Sequence, residues 1–212
     1  MARVRIRQHV NPLARQFQQP IALPDWTQVY ARPQRPLHLD IGCARGRFTL
    51  AIAPVQPEWN FLGLEIREPL VREANALRDQ AGLTNLHYLF CNVNLDLGRI
   101  LRSLPPGGVQ WVSIQFPDPW FKKRHSKRRV VQPALVQTLA EALPSGATVF
   151  LQSDVLDIAT EMTTLFAAHP RFQKTHSAPW LAENPLPVPT EREIATQAKG
   201  EAVYRSRFLR RE

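Results

Sequence analysis

Residues 37–46 read LHLDIGCARG, a short and near-continuous apolar run that closes on an acid and is followed by two glycines. An apolar run of that length, without strict alternation, suits a strand covered on both faces, as in a parallel sheet. Gly42 and Gly46 then let the chain turn sharply after the strand and bring its backbone close to a ligand. The stretch therefore predicts the first strand and the first strand-to-helix turn of an open α/β sheet, with Asp40 beside the turn.

Working outward, the same kind of run recurs at NFLGLEI (60–66), LHYLFCNV (86–93), VQWVSIQF (109–116) and ATVFLQSD (147–154). Amphipathic segments separate the runs. Pro69 can open a helix whose Leu70, Ala74, Leu77 and Ala81 share one face. Leu135, Leu139 and Leu143 do likewise before a stop at Pro144 and Gly146. Strands alternating with helices predict βαβ units in a doubly wound, mostly parallel sheet. The alternating stretch VYRSRFL (203–209) predicts a late antiparallel strand, and the Pro-rich PWLAENPLPVP (179–189) an extended surface loop. With 212 residues and 44% hydrophobic content, the chain suffices for one well-buried domain, whereas two would each be small. We expect a basic N-terminal arm over 1–30 and one domain over 31–212.

The formal net charge of +9 favours a polyanionic partner such as nucleic acid, although anionic lipid satisfies the same electrostatics. No apolar stretch is long enough to span a membrane. The first residues, MARVRIRQHVNPLARQF, carry four arginines and no apolar core, which argues against a secretory signal and leaves an Arg-rich organellar transit peptide as an alternative. Cys43 and Cys91 lie far apart, with no CxxC and no nearby His cluster, so we expect reduced core thiols in a cytoplasmic protein and no metal site. Residues 116–132 hold six basic residues against one acid, whereas 133–189 hold two against five. The charge is therefore concentrated, and it lies between two structured segments rather than on a tail.

In an open sheet of this class, ligands bind outside the carboxyl ends of the strands. The five runs end at Asp40, Glu65, Asn92, Asp118 and Asp154, each an acid or its amide. A nicotinamide enzyme would carry GxGxxG with an acid about 20 residues on. Glu65 has that spacing, but the glycines do not. Asp40 is unwelcome beside a pyrophosphate and helpful beside the amino and sulfonium groups of S-adenosyl-L-methionine. On this reading Gly42 and Gly46 form the cofactor loop, Glu65 accepts from the ribose hydroxyls and Asn92 faces the adenine.

The most charged segment, FPDPWFKKRHSKRR (116–129), holds Asp118 between two prolines and follows it with six Lys or Arg in eight positions. Together with DIG-x-x-x-G, GLE, SD and a late T-x-x-E, it resembles the bacterial single-chain tRNA (guanine-N7)-methyltransferases over about residues 5–209. RIRQHVNPL (5–13) is similar to an N-terminal arm found in part of that family. The resemblance implies a Rossmann-like methyltransferase sheet and a cofactor set of Asp40, Glu65, Asn92 and Asp118, with Asp118 also catalytic. It further implies substrate contacts from Lys122, Asp154, Thr190, Glu191, Arg192 and Glu193, and RNA contacts from Arg124, His125, Ser126, Lys127, Arg128 and Arg129. The implied reaction is methyl transfer to N7 of a tRNA guanosine, that of the variable loop; separately, we expect the chain to be a monomer.

Three positions depart from the family pattern: Ala44 replaces a glycine, Asn92 often an acid, and Arg192 commonly an aromatic residue. Guanine N7 has a free lone pair, so alignment is the main task. Asp118, stiffened by Pro117 and Pro119, can accept a hydrogen bond from base or cofactor, while Asp154 and Glu193 can accept from guanine N1 and N2 hydrogens. The target base has to be drawn from its stack, the basic run supplies phosphate contacts, and the arginines at 3, 5 and 7 could order on RNA. Two alternatives stay open: an exocyclic-amine nucleic-acid methyltransferase, because D-P-W resembles the D-P-P-Y turn, and a non-catalytic RNA-binding subunit. A dehydrogenase ranks third.

Overall fold

The five apolar runs become strands β1 (Leu37–Ile41), β2 (Asn60–Glu65), β3 (Leu86–Phe90), β4 (Val109–Gln115) and β5 (Thr148–Ser153) of one sheet. The computed structural model describes residues 10–105 and 108–212. Every position of β1, β2 and β5 is buried, because helices cover both faces of a parallel sheet and leave neither face to water. Two further strands, β6 (Phe172–Lys174) and β7 (Tyr204–Arg210), complete the order β3-β2-β1-β4-β5-β7-β6. Neighbours from β3 to β5 are parallel, and β7 runs antiparallel to both β5 and β6. The late antiparallel strand thus lies where its alternation predicted. β6, three residues long, is too short to leave a periodic signal.

The helices are α1 (Trp26–Val29), α2 (Arg47–Ile52), α3 (Glu68–Gln80), α4 (Val93–Ser103), α5 (Pro133–Ala142), α6 (Leu156–Ala167) and α7 (Glu191–Ala198). Pro69 stands in the first turn of α3, where its missing N–H costs nothing, and Leu70, Val71 and Ala74 form the buried face. Ala81 caps the helix exposed, so the apolar face is shorter than the spacing suggests. α5 opens on Pro133 and buries Leu135, Val136, Leu139 and Ala140. One core cluster unites α4, α5 and α6 with the sheet; a second gathers Phe48, Phe61, Val71 and Tyr88 beneath α2 and α3.

Two segments are more integrated than their composition suggests. Within the stretch expected as an arm, Trp26 and Tyr30 are buried, with Ile21, Leu23 and Val29 packed beside them. Trp26 Nε1 donates to Ser103 Oγ at 2.8 Å and Tyr30 Oη to the Phe61 carbonyl at 3.1 Å. Arg3, Arg5 and Arg7 lie outside the described residues. The Pro-rich loop, in turn, presses Leu186 and Val188 onto the second core cluster. Among the described residues no helix is long and apolar enough to cross a membrane.

Candidate active site

The strand order reverses between β1 and β4, with β2 and β3 on one side and β5 on the other. Loops leaving the carboxyl ends of such neighbours diverge and open a crevice. A cleft of about 650 Å³ lies there, lined by Asp40, Glu65, Asn92, Asp118 and Asp154 among others. All five strand-end polar residues therefore meet in one place, which their scattered sequence positions alone could not guarantee.

Asp40 is buried, at 4% exposure, as deeply as Glu65. Its Oδ1 accepts from Ser113 Oγ at 2.6 Å and from Gln115 Nε2 at 3.2 Å, and Ser113 is in turn 2.9 Å from His38 Nε2. Burial pushes the Asp40 carboxyl up to about 6; the Ser113 and Gln115 hydrogen bonds oppose that rise and the nearby Glu65 charge adds to it. Burial likewise holds His38 down at about 3, so its ring is neutral at physiological pH. Ser113 and Gln115 were absent from the expected site. The signal for them was two polar residues two apart at the end of β4, hence on one face.

Glu65 tethers the loop after β1. One carboxylate oxygen accepts from the Ala44 amide at 3.0 Å and from a terminal nitrogen of Arg67; the other accepts from the Arg67 amide and Nε, each at 3.0 Å. Burial disfavours the Arg67 charge, yet bonds to Glu65 and the charges of Glu65 and Asp118 outweigh it and raise its pKa. Arg67 is thus an unforeseen cation between two of the expected acids. Ribose hydroxyls reaching Glu65 would compete with this guanidinium. Within the loop, Gly42 (φ 82°) lines the cleft, and a Cβ there would meet nothing within 4 Å. Ala44 adopts a left-handed φ of 50°. At Gly46, expected in the cofactor loop, a Cβ would strike the Tyr88 ring at 2.3 Å, and the carbonyl accepts from Tyr88 Oη at 2.7 Å, so the glycine serves the packing of α2 on β3.

Asn92 sits at the N-terminus of α4, beyond the end of β3. Its Nδ2 donates to the carbonyls of Pro12 and Phe17 at 3.1 and 3.0 Å, which brings Val10 and Pro12 into the cleft wall. Half of the amide expected to face adenine is therefore committed to the N-terminal segment.

The FPDPW turn is strained and braced. Phe116 and Trp120 both have positive φ, 49° and 43°, on either side of Pro117, Asp118 and Pro119. Left-handed backbone at bulky residues costs on the order of 1–3 kcal/mol each and persists only where the surroundings enforce it. Arg129 enforces it here: its Nε donates to the Pro119 carbonyl at 2.9 Å, and the guanidinium pairs with Glu161 of α6. The Arg128 guanidinium stands 5.0 Å above the Trp120 ring, and His125 meets that ring edge-on at 5.7 Å. Residues 123–128 form a 3₁₀ helix with Lys122 as its N-cap. The basic run thus divides. Lys122, Lys123, Arg124 and Lys127 face solvent, whereas Arg129, expected on RNA, is turned inward because the turn's carbonyls need a donor. Ser126 is engaged through its carbonyl with Gln132 and Arg129. Lys122 lies next to the cleft without lining it.

On the far side, T-x-x-E proves to be the start of α7. Thr190 Oγ1 accepts from the Glu193 amide at 3.1 Å, an N-cap, and Thr190, Glu191 and Arg192 line the cleft. Arg192 donates from Nε to Asp154 Oδ2 at 2.7 Å, and Glu191 pairs with Arg47 at 3.3 Å. Glu193, expected as a guanine reader, is engaged within the protein. It is 1% exposed, with Oε1 on Arg205 at 2.7 Å and Oε2 accepting from Asn184 at 2.7 Å and Gln152 at 3.2 Å. The register of β5 and β7 sets Gln152 opposite Arg205, so both reach this carboxylate and fix α7 to the sheet. Among the described residues, no group of three or more His, Cys, Asp or Glu is placed to hold a metal.

Residues 34–206 match the family model described as "Putative methyltransferase". The tRNA (guanine-N(7)-)-methyltransferase of Synechococcus elongatus is 70% identical over 210 residues, covering 99% of this chain and 98% of that protein. This chain belongs to the tRNA (guanine-N(7)-)-methyltransferase family. Relatives of the same name from Trichormus variabilis and from Synechococcus sp. JA-3-3Ab are 62% and 53% identical, over 98% of this chain and 96% and 86% of theirs. Among solved structures, an rRNA methylase from Streptococcus thermophilus superposes with a TM-score of 0.52 at 9% identity, over 88% of this chain and 92% of that one. TrmN from Thermus thermophilus gives 0.55 at 18%, over 88% and 46%. These two likenesses establish the methyltransferase-type α/β fold. The family match spans every strand-end acid, the FPDPW turn and the start of α7.

Proposed function

We propose that the chain transfers a methyl group from S-adenosyl-L-methionine to N7 of a guanosine in tRNA, that of the variable loop, in the cytoplasm. The observation that carries this reading is the placement of Asp118: a braced, strained turn holds it in the cleft, and the cationic 3₁₀ helix continues directly from it. The residues present fit the cofactor. Asp40 offers a carboxylate with one oxygen fixed by Ser113, Glu65 stands at the next strand end, and Gly42 leaves room that a side chain would fill. When bound, the cofactor supplies an electrophilic methyl on a sulfonium.

The chain's own residues then have three tasks. Asp40 neutralises a cationic group of the cofactor, which sets its place along the cleft. Asp118 accepts a hydrogen bond from the target base or the cofactor amine, holding N7 in line; it does not have to create the nucleophile, because that lone pair is already free. The exposed cations of residues 122–127 meet phosphates, which positions RNA with little sequence information. Asp154 and the first turn of α7 form the opposite wall, where Arg192 already holds the Asp154 carboxylate.

The test is to incubate the protein with labelled cofactor and bulk tRNA and to map the modified nucleoside. Label in 7-methylguanosine, with strand scission after reduction and aniline treatment, is the expected result. Label in an exocyclic amine, or none in tRNA, would refute the assignment.

A further inference from the structure

Phe121 follows Trp120 at the mouth of the cleft and is 76% exposed, a phenyl ring left in water beside the site. An isolated exposed apolar side chain is ordinary. This one differs in how it is held. The Trp120 backbone is left-handed, and the Trp120 ring is held between residues of its own segment, with Arg128 over its face and His125 meeting it edge-on. Arg129 grips the carbonyl of Pro119. The braced turn therefore presents Phe121 from a fixed base, three residues beyond Asp118, with exposed Lys122, Lys123 and Arg124 immediately after it. A flat apolar face that is rigidly based, ringed by cations and open toward a ligand cleft matches the surface that single-stranded nucleic acid selects: cations for phosphate and an aromatic ring for the base.

We propose that Phe121 is a base-stacking residue, on which the nucleobase being drawn out of the RNA rests as it enters the cleft toward Asp118. Stacking there would offset part of the cost of unstacking the base inside the RNA. It is also indifferent to base identity, which leaves discrimination to the cleft. The inference rests on the tRNA reading above and adds a contact that neither the basic run nor the strand-end acids supply.

The test compares the full-length protein with Phe121→Ala, Phe121→Leu and Phe121→Trp. tRNA affinity is measured at two salt concentrations, with cofactor affinity and thermal midpoint as controls for folding. Removing the ring is expected to weaken tRNA binding about 5- to 100-fold, the usual range for one stacked base. Cofactor affinity and midpoint should hold. The dependence of affinity on salt should also hold, because no charge is lost. Tryptophan should restore binding and leucine should not. Wild-type tRNA affinity retained by Phe121→Ala, or restored as well by leucine as by tryptophan, would overturn the proposal. Wild-type turnover in the same series reports separately on methyl transfer: a protein that binds tRNA through Phe121 yet methylates nothing would sink the functional reading and keep this one.

Discussion

Asp40 shows how one side chain's surroundings set its use. Burial raises its pKa to about 6, and Ser113 and Gln115 hold that rise in check. A cationic ligand binds the ionised form, so cofactor affinity should be level above about pH 7 and fall up to tenfold per unit below about 6. Ser113→Ala removes a bond that favours the ionised carboxylate, so the decline should begin at higher pH. Calorimetric titration with S-adenosyl-L-methionine from pH 5 to 8 checks both statements, and a flat profile would contradict them. Ala44 gives a second residue-scale prediction. Its left-handed backbone costs roughly 1–2 kcal/mol, part of which glycine returns as unfolded-state entropy, so Ala44→Gly should stabilise the protein by about 0.5–1 kcal/mol in denaturant unfolding. The strain at Ala44 was legible only as a departure from the family's glycine, since its φ depends on the bond from its amide to Glu65.

At the scale of elements, two short sequences proved to be structural supports. The T-x-x-E segment is a helix N-terminus whose threonine caps and whose glutamate anchors. Glu193 and Arg205 are both buried, and deleting the carboxylate would strand the guanidinium inside the protein. Glu193→Ala should therefore cost about 3–5 kcal/mol, seen as a lowered denaturant midpoint. A guanine-reading Glu193 would instead lose substrate affinity with its stability intact. The basic run has the same double character: Arg128 and Arg129 brace the turn, and the lysines and Arg124 face outward. Sequence could place six charges in eight positions but not divide them, because which arginine turns inward depends on the carbonyls of Pro119 and Trp120 and on Glu161 arriving from α6.

For the whole molecule, the sheet was legible because the parallel strands leave near-continuous apolar runs, and the five runs ended where the cleft now lies. Contacts between segments distant in sequence were not legible. Asn92 binding the carbonyls of Pro12 and Phe17 joins an N-terminal stretch to the cleft, and Trp26 bonded to Ser103 fastens that stretch at the other end of α4, both without any periodic signal. Gln152 at one strand end and Arg205 on an antiparallel neighbour likewise converge on Glu193 only through register. The molecule thus places an acid-lined cleft at the switch point, an N-terminal wall on one side and α7 on the other, with Asp118 presented between them from the braced turn.

On the proposed function, Asp118 is the residue whose removal should cost methyl transfer most. The most direct measurement is the turnover of Asp118→Ala on tRNA at saturating cofactor, with the thermal midpoint confirming the fold. Loss of roughly 100-fold or more in kcat is predicted, in keeping with the removal of a group that aligns the reacting atoms. Full turnover by the folded variant would contradict it.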